Sequence, residues 1–429
     1  MDIAQIRDDF PFLERKIEGK PIIYFDNAAT THKPRQVLET IRTFYSRYNS
    51  AINRSAHAIG DMASDLYSQA HENVARFIGA ESHREIIFVR NSTEAINLVC
   101  SSLTLGGDEA VRLLPGDEIV IPVIEHHSDF VPWRRLKETH GIDIKYVPTC
   151  PDGTIDPDEF RKRVSKKTKL LCCSHVSNVL GVVNPVEEIG SVAHDAGALL
   201  LIDGTQSVPH MPVDVKEIKC DFLAFSGHKM LAPMGIGVLY GRKTLLEKMA
   251  PFLSGGGMIS DVSTESITWN ELPWKFEAGT PDACGGVALG GATDYNDGTK
   301  LTGAIDYLER VGMKNIYSRE RELSEYAIAK LLELGEVTIY GPEDSRSRCG
   351  IVSFNVTKNG EPADCHVVGG MLNAQGIAVR AGGHCSYPLM KSMNIEGTVR
   401  ISFYVYNTKR EIDQFAAALA NIIRYKLLL

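Results

Sequence analysis

Apolar residues along the chain fall into short unbroken runs, separated by stretches in which they recur every three or four positions. The runs occupy residues 21–25, 85–89, 118–122, 143–147, 168–175, 198–203, 222–226 and 237–240. Each is too short for a helix and rich in Val, Ile, Leu and Phe, so each reads as a strand. Between them, residues 34–48, 63–78, 130–140 and 185–194 carry the spacing of amphipathic helices. Strand alternating with helix implies an α/β fold with a mostly parallel, seven-stranded-type sheet flanked by helices. Several of the strands are apolar throughout, as a sheet covered on both faces requires.

From residue 299 the pattern changes. Helical periodicity dominates at 304–308 and 320–334, shorter strand-like pieces follow at 337–340, 351–356, 378–380 and 399–402, and a last helix is expected over 409–425. The expected organisation is an arm over residues 1–20 lying near the smaller domain, a large α/β domain over 21–299, and a small α+β domain over 300–429.

Composition mainly excludes. A chain of 429 residues, 44% hydrophobic and 23% charged, is ordinary globular material, with room for roughly two to three domains. A net charge of -8 without a lysine-rich tail argues against a nucleic-acid partner. The first residues carry Asp2, Asp8 and Asp9 and lack the apolar run of a signal peptide. No stretch of about eighteen apolar residues occurs that could span a bilayer, so no membrane partner and a cytoplasmic location are expected. The cysteines number nine and none stand as C-x-x-C, so neither a disulfide framework nor a ribbon-type zinc site is expected. Cys100, Cys172, Cys173 and Cys220 read as small buried hydrophobes. The cluster Gly255-Gly256-Gly257 lacks both dinucleotide and P-loop spacing; it is a flexible turn or a loop at a substrate mouth.

Candidate chemistry sits at the ends of the apolar runs. One ends Leu201-Ile202-Asp203-Gly204-Thr205-Gln206 and the next ends Ser226-Gly227-His228-Lys229. Open α/β sheets bind ligands at the carboxyl ends of their strands. Taken singly, Asp203 reads as a cap or turn residue and Lys229 as a solvated charge. Taken together they suit pyridoxal phosphate, with the lysine amine bonding the cofactor's aldehyde carbon and the acid pairing with its ring nitrogen. After the run ending at Val89, Asn91 or Ser92 would cap a helix whose free amides attract an anion, or would simply cap it. In Glu125-His126-His127-Ser128 an imidazole could stack on a flat cofactor, bind a metal or be merely polar; no matching ligand spacing supports a metal. Last, Arg380-Ala381-Gly382-Gly383-His384-Cys385, with Arg400 downstream, places a thiol beside a histidine and near arginines, surroundings that favour thiolate. The bland alternative is a loop cysteine with no role. Arg400 could clamp a carboxylate.

At these residues the chain resembles the class V aminotransferase superfamily of fold-type I pyridoxal-phosphate enzymes, and within it the group II, Suf-type cysteine desulfurases. The most specific pieces are Ser226 to Lys229, Asp203 to Gln206, His175 to Gly181, Phe276 to Pro281 and Arg380 to Cys385. The resemblance implies Lys229 as the cofactor lysine, Asp203 at the ring nitrogen, Gln206 at the ring hydroxyl and His126 stacked on the ring. It implies a phosphate held by Ser92, Thr93, Ser226, His228 and, from a second subunit of a homodimer, Thr280. Asn178, Arg380 and Arg400 would hold L-cysteine and Cys385 would take its sulfur. The products would be L-alanine and a persulfide, passed to a sulfur-acceptor protein or scaffold for iron–sulfur cluster assembly. Ala381 and Gly383 depart from the family's usual Arg-Thr-Gly-His-His-Cys, and Asn53-Arg54-Ser55 stands where relatives often have His-Arg-Gly. The same cofactor residues would serve a selenocysteine lyase or another family enzyme, and a non-catalytic sulfur-carrier scaffold is the rival from a different class.

Overall fold

The computed structural model describes residues 2–17, 19–53, 56–344, 347–358 and 361–425; Arg54 and Ser55, part of the departure just noted, lie outside them. Its centre is a sheet of β1 (Ile86–Val89), β2 (Glu118–Pro122), β3 (Asp143–Val147), β4 (Thr168–Ser174), β5 (Leu199–Asp203), β6 (Phe222–Ser226) and β7 (Gly237–Gly241). The seven strands lie in the order β1-β7-β6-β5-β4-β2-β3. Neighbours are parallel except at β7, which runs antiparallel to β1 and β6.

Unbroken apolarity in the strands follows from burial on two sides. Successive side chains point to opposite faces, so Leu200, Ile202, Leu223 and Phe225 enter one core, while Leu201, Phe222 and Ala224 enter the other. Helices α1 (Ala58–Phe77), α2 (Ser92–Leu105), α3 (Val131–His140) and α4 (Val186–Asp195) cover those faces. Leu66, Tyr67 and Val74 of α1 and Ile189 of α4 pack into the first core; Ile96 and Val99 of α2 and Trp133 of α3 pack into the second. Each such side chain contributes about 1.5–3 kcal/mol. Helix α1 begins before residue 63 because His57 Nδ1 accepts the Gly60 N–H at 3.1 Å and caps it.

A second, antiparallel sheet comprises β8 (Val337–Tyr340), β9 (Ile351–Lys358), β10 (Arg380–Gly382) and β11 (Thr398–Ser402) in the order β8-β9-β11-β10, with Glu361–Pro362 folded back on β9. Around it pack parts of α6 (Met313–Leu332), which follows α5 (Ala304–Val311), then α7 (Cys365–Asn373) and α8 (Lys409–Tyr425). Leu323, Phe354, Val368 and Phe415 form its separate core.

Residues 21–25, expected in the large domain, go elsewhere. Ile23–Tyr24 pairs in parallel with Ile377–Ala378, and Ile23 and Phe25 join the core of the second sheet. A short apolar run says that it is buried, not which sheet buries it. Conversely Ile305 and Leu308 of α5 lie in the large core, as does Ile316 of α6, so the chain crosses between the cores within α6 and not at residue 299. The arm joins the two parts: Arg7 pairs with Glu411 at 2.9 Å, and Asp9 accepts from Tyr307 at 2.8 Å and from Arg310 at 3.0 Å. No helix among the described residues is long and apolar enough to cross a membrane.

Candidate active site

The parallel strands end together, and the loops leaving them enclose a cavity of about 240 Å³. From β1 the chain turns into α2, whose start is drawn tight: a Cβ on Gly237 of β7 would lie 2.6 Å from Asn91 Cα, so only glycine fits there. Asn91 Oδ1 caps the helix through Glu94 N–H at 3.0 Å. Ser92, the first helical residue, is bound through both its N–H and its hydroxyl to Ser226 Oγ at 2.9 Å. Helix-start amides and two hydroxyls thus share one wall, an arrangement suited to an anion. Thr93 stands beside them, its hydroxyl 2.6 Å from that of Ser128.

From β5 and β6 come the charged groups. Asp203 is buried, with Oδ1 accepting the Thr205 N–H at 2.9 Å. Burial raises its carboxyl above the ordinary range, an effect that Thr205 and Lys229 only partly offset. Lys229 shows the converse: burial, helped by Arg400 and Arg380 and opposed by Asp203, brings its amine down to about 8. A lysine so placed is available as a nucleophile near neutral pH. Gln206 donates Nε2 to the Ala28 carbonyl at 2.8 Å, leaving Oε1 without a protein partner. Burial first, then Lys229, lowers His126 to about 3 and His228 to about 4, so both imidazoles are neutral. Because Ser128 N–H donates to His126 Nδ1 at 3.1 Å, the His126 proton sits on Nε2. Behind this wall two buried carboxyls are raised: Glu125 to about 8, by burial and then by the charge of Asp203, and Asp129 by burial and then by the charges of Glu125 and Asp203.

The second sheet supplies the remaining wall. Arg380 and Arg400 stand directly opposite each other on β10 and β11, a like-charge pairing that is unfavourable unless something anionic relieves it. Arg400, 2% exposed, donates to the Asn178 carbonyl at 2.7 Å and to Asp26 at 3.1 Å, and its Nε has no protein partner. Asp26 thus pairs with Arg400, and the unpartnered Nε leaves a donor for another carboxylate. Cys385 follows β10 and lines the same cavity. Its loop is pinned to the one after β2, where the Cys385 carbonyl accepts the His127 N–H at 2.7 Å and Ser386 Oγ bonds the carbonyls of Ile124 and Glu125.

The expected help from His384 is not there. Its ring is buried with Nε2 on Thr398, 3.0 Å from the carbonyl and 2.8 Å from the hydroxyl, and burial with the charge of Arg400 lowers it to about 2. A neutral imidazole contributes no cation to a thiolate. His384 instead fixes the loop, its carbonyl accepting Asn178 Nδ2 at 2.8 Å. The cations lining the cavity near Cys385 are Arg380, Arg400 and Lys229.

A lysine and a thiol facing one cavity, with a paired arginine wall between sheets, can be set against known proteins. The profile of the family Aminotransferase class-V matches residues 23–415. The chain belongs to the class V aminotransferase family. A probable cysteine desulfurase of Halalkalibacterium halodurans is 47% identical over 99% of both chains. A cysteine desulfurase of Haloferax volcanii is 42% identical over 98% of this chain and 96% of that one. The apo structure of the cysteine desulfurase from Thermococcus onnurineus superposes with a TM-score of 0.89 at 38% identity, covering 99% of each chain.

Within this class V fold, most of the expected site residues meet at the cavity, including Ser92, Thr93, His126, Asn178, Asp203 and Gln206, together with Ser226, His228, Lys229, Arg380, Cys385 and Arg400. Thr280 does not: it is exposed and lines a separate hollow with Gly256 and Gly257. The glycine cluster therefore borders that hollow and not the cavity of its own chain. Sequence reasoning missed Asp26, Ala28 and Ala29. They come from a turn after Ile23–Tyr24, and the polar string Asp26-Asn27 at the end of an apolar run was the signal available.

Proposed function

We propose that this protein is a cysteine desulfurase that uses pyridoxal phosphate to convert L-cysteine to L-alanine, leaving a persulfide on Cys385. The observation that carries the reading is that Cys385, Lys229 and the Arg380–Arg400 pair face one cavity. The cavity fits the cofactor's chemistry: Gln206 Oε1, Thr205 Oγ1 and His228 Nδ1 are buried without protein partners, and the start of α2 offers amides to a phosphate. Ser92, Thr93, Ser226 and His228 would hold the phosphate, Gln206 the ring hydroxyl, and His126 one face of the ring. When bound, the cofactor supplies an aldehyde that captures an amine and a ring that draws electrons from the substrate's α-carbon. Asp203 would pair with the protonated ring nitrogen, whose charge would add to that of Lys229 in offsetting the burial of this carboxylate.

Arg400, with Arg380 and Asn178, orients the substrate carboxylate. Lys229 Nζ carries a proton between the substrate's carbons. The Cys385 thiolate attacks the substrate sulfur: an S–S bond forms, the Cβ–S bond breaks, and its electron pair stays on carbon and takes up a proton to give alanine. The persulfide then passes to a sulfur-acceptor protein serving iron–sulfur cluster assembly. All the cysteines are free, which supports a reducing, cytoplasmic setting. An exposed Thr280 that does not line the cavity of its own chain supports a homodimer in which it completes the partner's phosphate site. Light scattering on active protein tests that; a fully active monomer excludes it.

The deciding experiment incubates protein with L-cysteine and a reductant and measures alanine and sulfide together. Equal amounts of both are expected. Neither product, or turnover confined to selenocysteine, would refute the reading.

A further inference from the structure

His384 and Cys385 follow one another in the left-handed region, with φ of 50° and 57°. Residues with a Cβ rarely take up that conformation, so it persists only where the surroundings impose it. On the inner side the bonds from Asn178, His127 and Ser386 restrain the loop. The outer side carries one aromatic ring. A Cβ added to Gly383 would stand 2.5 Å from Tyr387 Cε1 and 2.7 Å from its Cδ1, so the tyrosine ring occupies the volume a side chain at 383 would need. The same ring meets His127 edge-on, centroids 4.8 Å apart at 62°, and the Tyr387 N–H donates to His127 Nε2 at 3.1 Å. His127 is also the residue whose N–H holds the Cys385 carbonyl. Tyr387 is 59% exposed, so ordinary core burial does not account for its place.

We propose that Tyr387 is a positioning residue for the Cys385 thiol, its ring wedged between Gly383 and His127 so that the loop keeps the one shape that turns the sulfur into the cavity. The inference rests on Cys385 being the sulfur-accepting thiol. Gly383 and Tyr387 then act as a pair: the missing side chain at one position makes the seat for the ring at the other.

The test compares Tyr387→Phe, Tyr387→Ala, Gly383→Ala and the double variant Gly383→Ala/Tyr387→Ala in the cofactor-loaded enzyme. Two quantities are read: turnover of L-cysteine resolved into kcat and KM, and the rate at which iodoacetamide alkylates Cys385, followed by peptide mass spectrometry. Tyr387→Phe should match wild type, because the wedge needs the ring and not its hydroxyl. Tyr387→Ala should lower kcat about 10–100-fold with KM nearly unchanged, the penalty of a thiol misplaced by about an ångström, and should change the alkylation rate several-fold. Gly383→Ala should do the same by evicting the ring, and the double variant should be little worse than either single one, since both remove a single interaction. Wild-type kcat and alkylation in Tyr387→Ala, or strictly additive losses in the double variant, would overturn the proposal. A wild-type enzyme that forms no persulfide on Cys385 would instead overturn the desulfurase reading, while the alkylation rates would still decide the wedge.

Discussion

Two stretches bring the reactive groups to the cavity, and they are built on different principles. Asp203 and Lys229 sit at or just past the ends of adjacent parallel strands, where ladder register sets their depth and cores on both faces hold the strands. Cys385 sits in a loop with left-handed backbone, held by contacts from residues 124–127 and 178. The first arrangement is regular and rests on the backbone ladder more than on any one side-chain contact. The second depends on several remote bonds at once, so it should fail more readily and more selectively.

The largest effect should come from Cys385→Ser, which removes the thiol and leaves the strand ends intact. Sulfide release should fall by about three orders of magnitude or more, since a hydroxyl is a far weaker nucleophile at neutral pH. The absorbance change on adding L-cysteine should persist, because it depends on Lys229 and Asp203. Spectroscopy and sulfide assay on one sample check both, and loss of the spectral response would show that the two regions are not separable.

Next comes Asp26→Ala, which takes the carboxylate from Arg400 and leaves two guanidinium groups facing each other. Breaking such a largely buried pair should cost about 2–4 kcal/mol, measured by denaturant unfolding. The KM for L-cysteine should also shift, because Arg400 Nη2 loses its anchor.

A pH titration isolates the strand-end region. In the cofactor-free protein, capture of pyridoxal phosphate should speed up as pH rises and level off above about 8, where Lys229 loses its proton. A lysine at its ordinary value would still be accelerating there. The linked stability has a definite sign. With the folded value near 8 and the unfolded value at 10.5, the unfolded chain binds more protons between them, so this group's contribution to stability rises with pH across that window. Stopped-flow absorbance and unfolding of the apoprotein measure the two.

The smallest effect is expected from Cys365→Ser. This cysteine begins α7, outside the loop, and activity should stay within about twofold of wild type. A large loss would mean that the helix behind β10 takes part in holding the loop.

The strand-end region was legible because its signals are local. Runs of apolar residues ending in Asp203 and in Ser226 to Lys229 identify buried parallel strands, and parallel strands put their ends on one side of the sheet whatever the rest of the chain does. Cys385 and Arg400 were recognisable as chemistry, but their surroundings were not. His384 adjoins the thiol in sequence, yet its ring turns away to Thr398 and stays neutral. Neighbours in a chain need not be neighbours in space once the backbone takes up left-handed φ values.

The sequence by itself determined the α/β class, the sheet strands and most of the polar side chains that line the cavity, because periodicity and strand ends are written within a few residues. Tertiary structure alone decided that residues 23 and 25 enter the second core, that Asp26 reaches Arg400, and that Gly383 makes room for Tyr387. Each of these is a contact between segments far apart in the chain or folded back on themselves, fixed by how two separately packed cores meet, and no local pattern encodes that meeting.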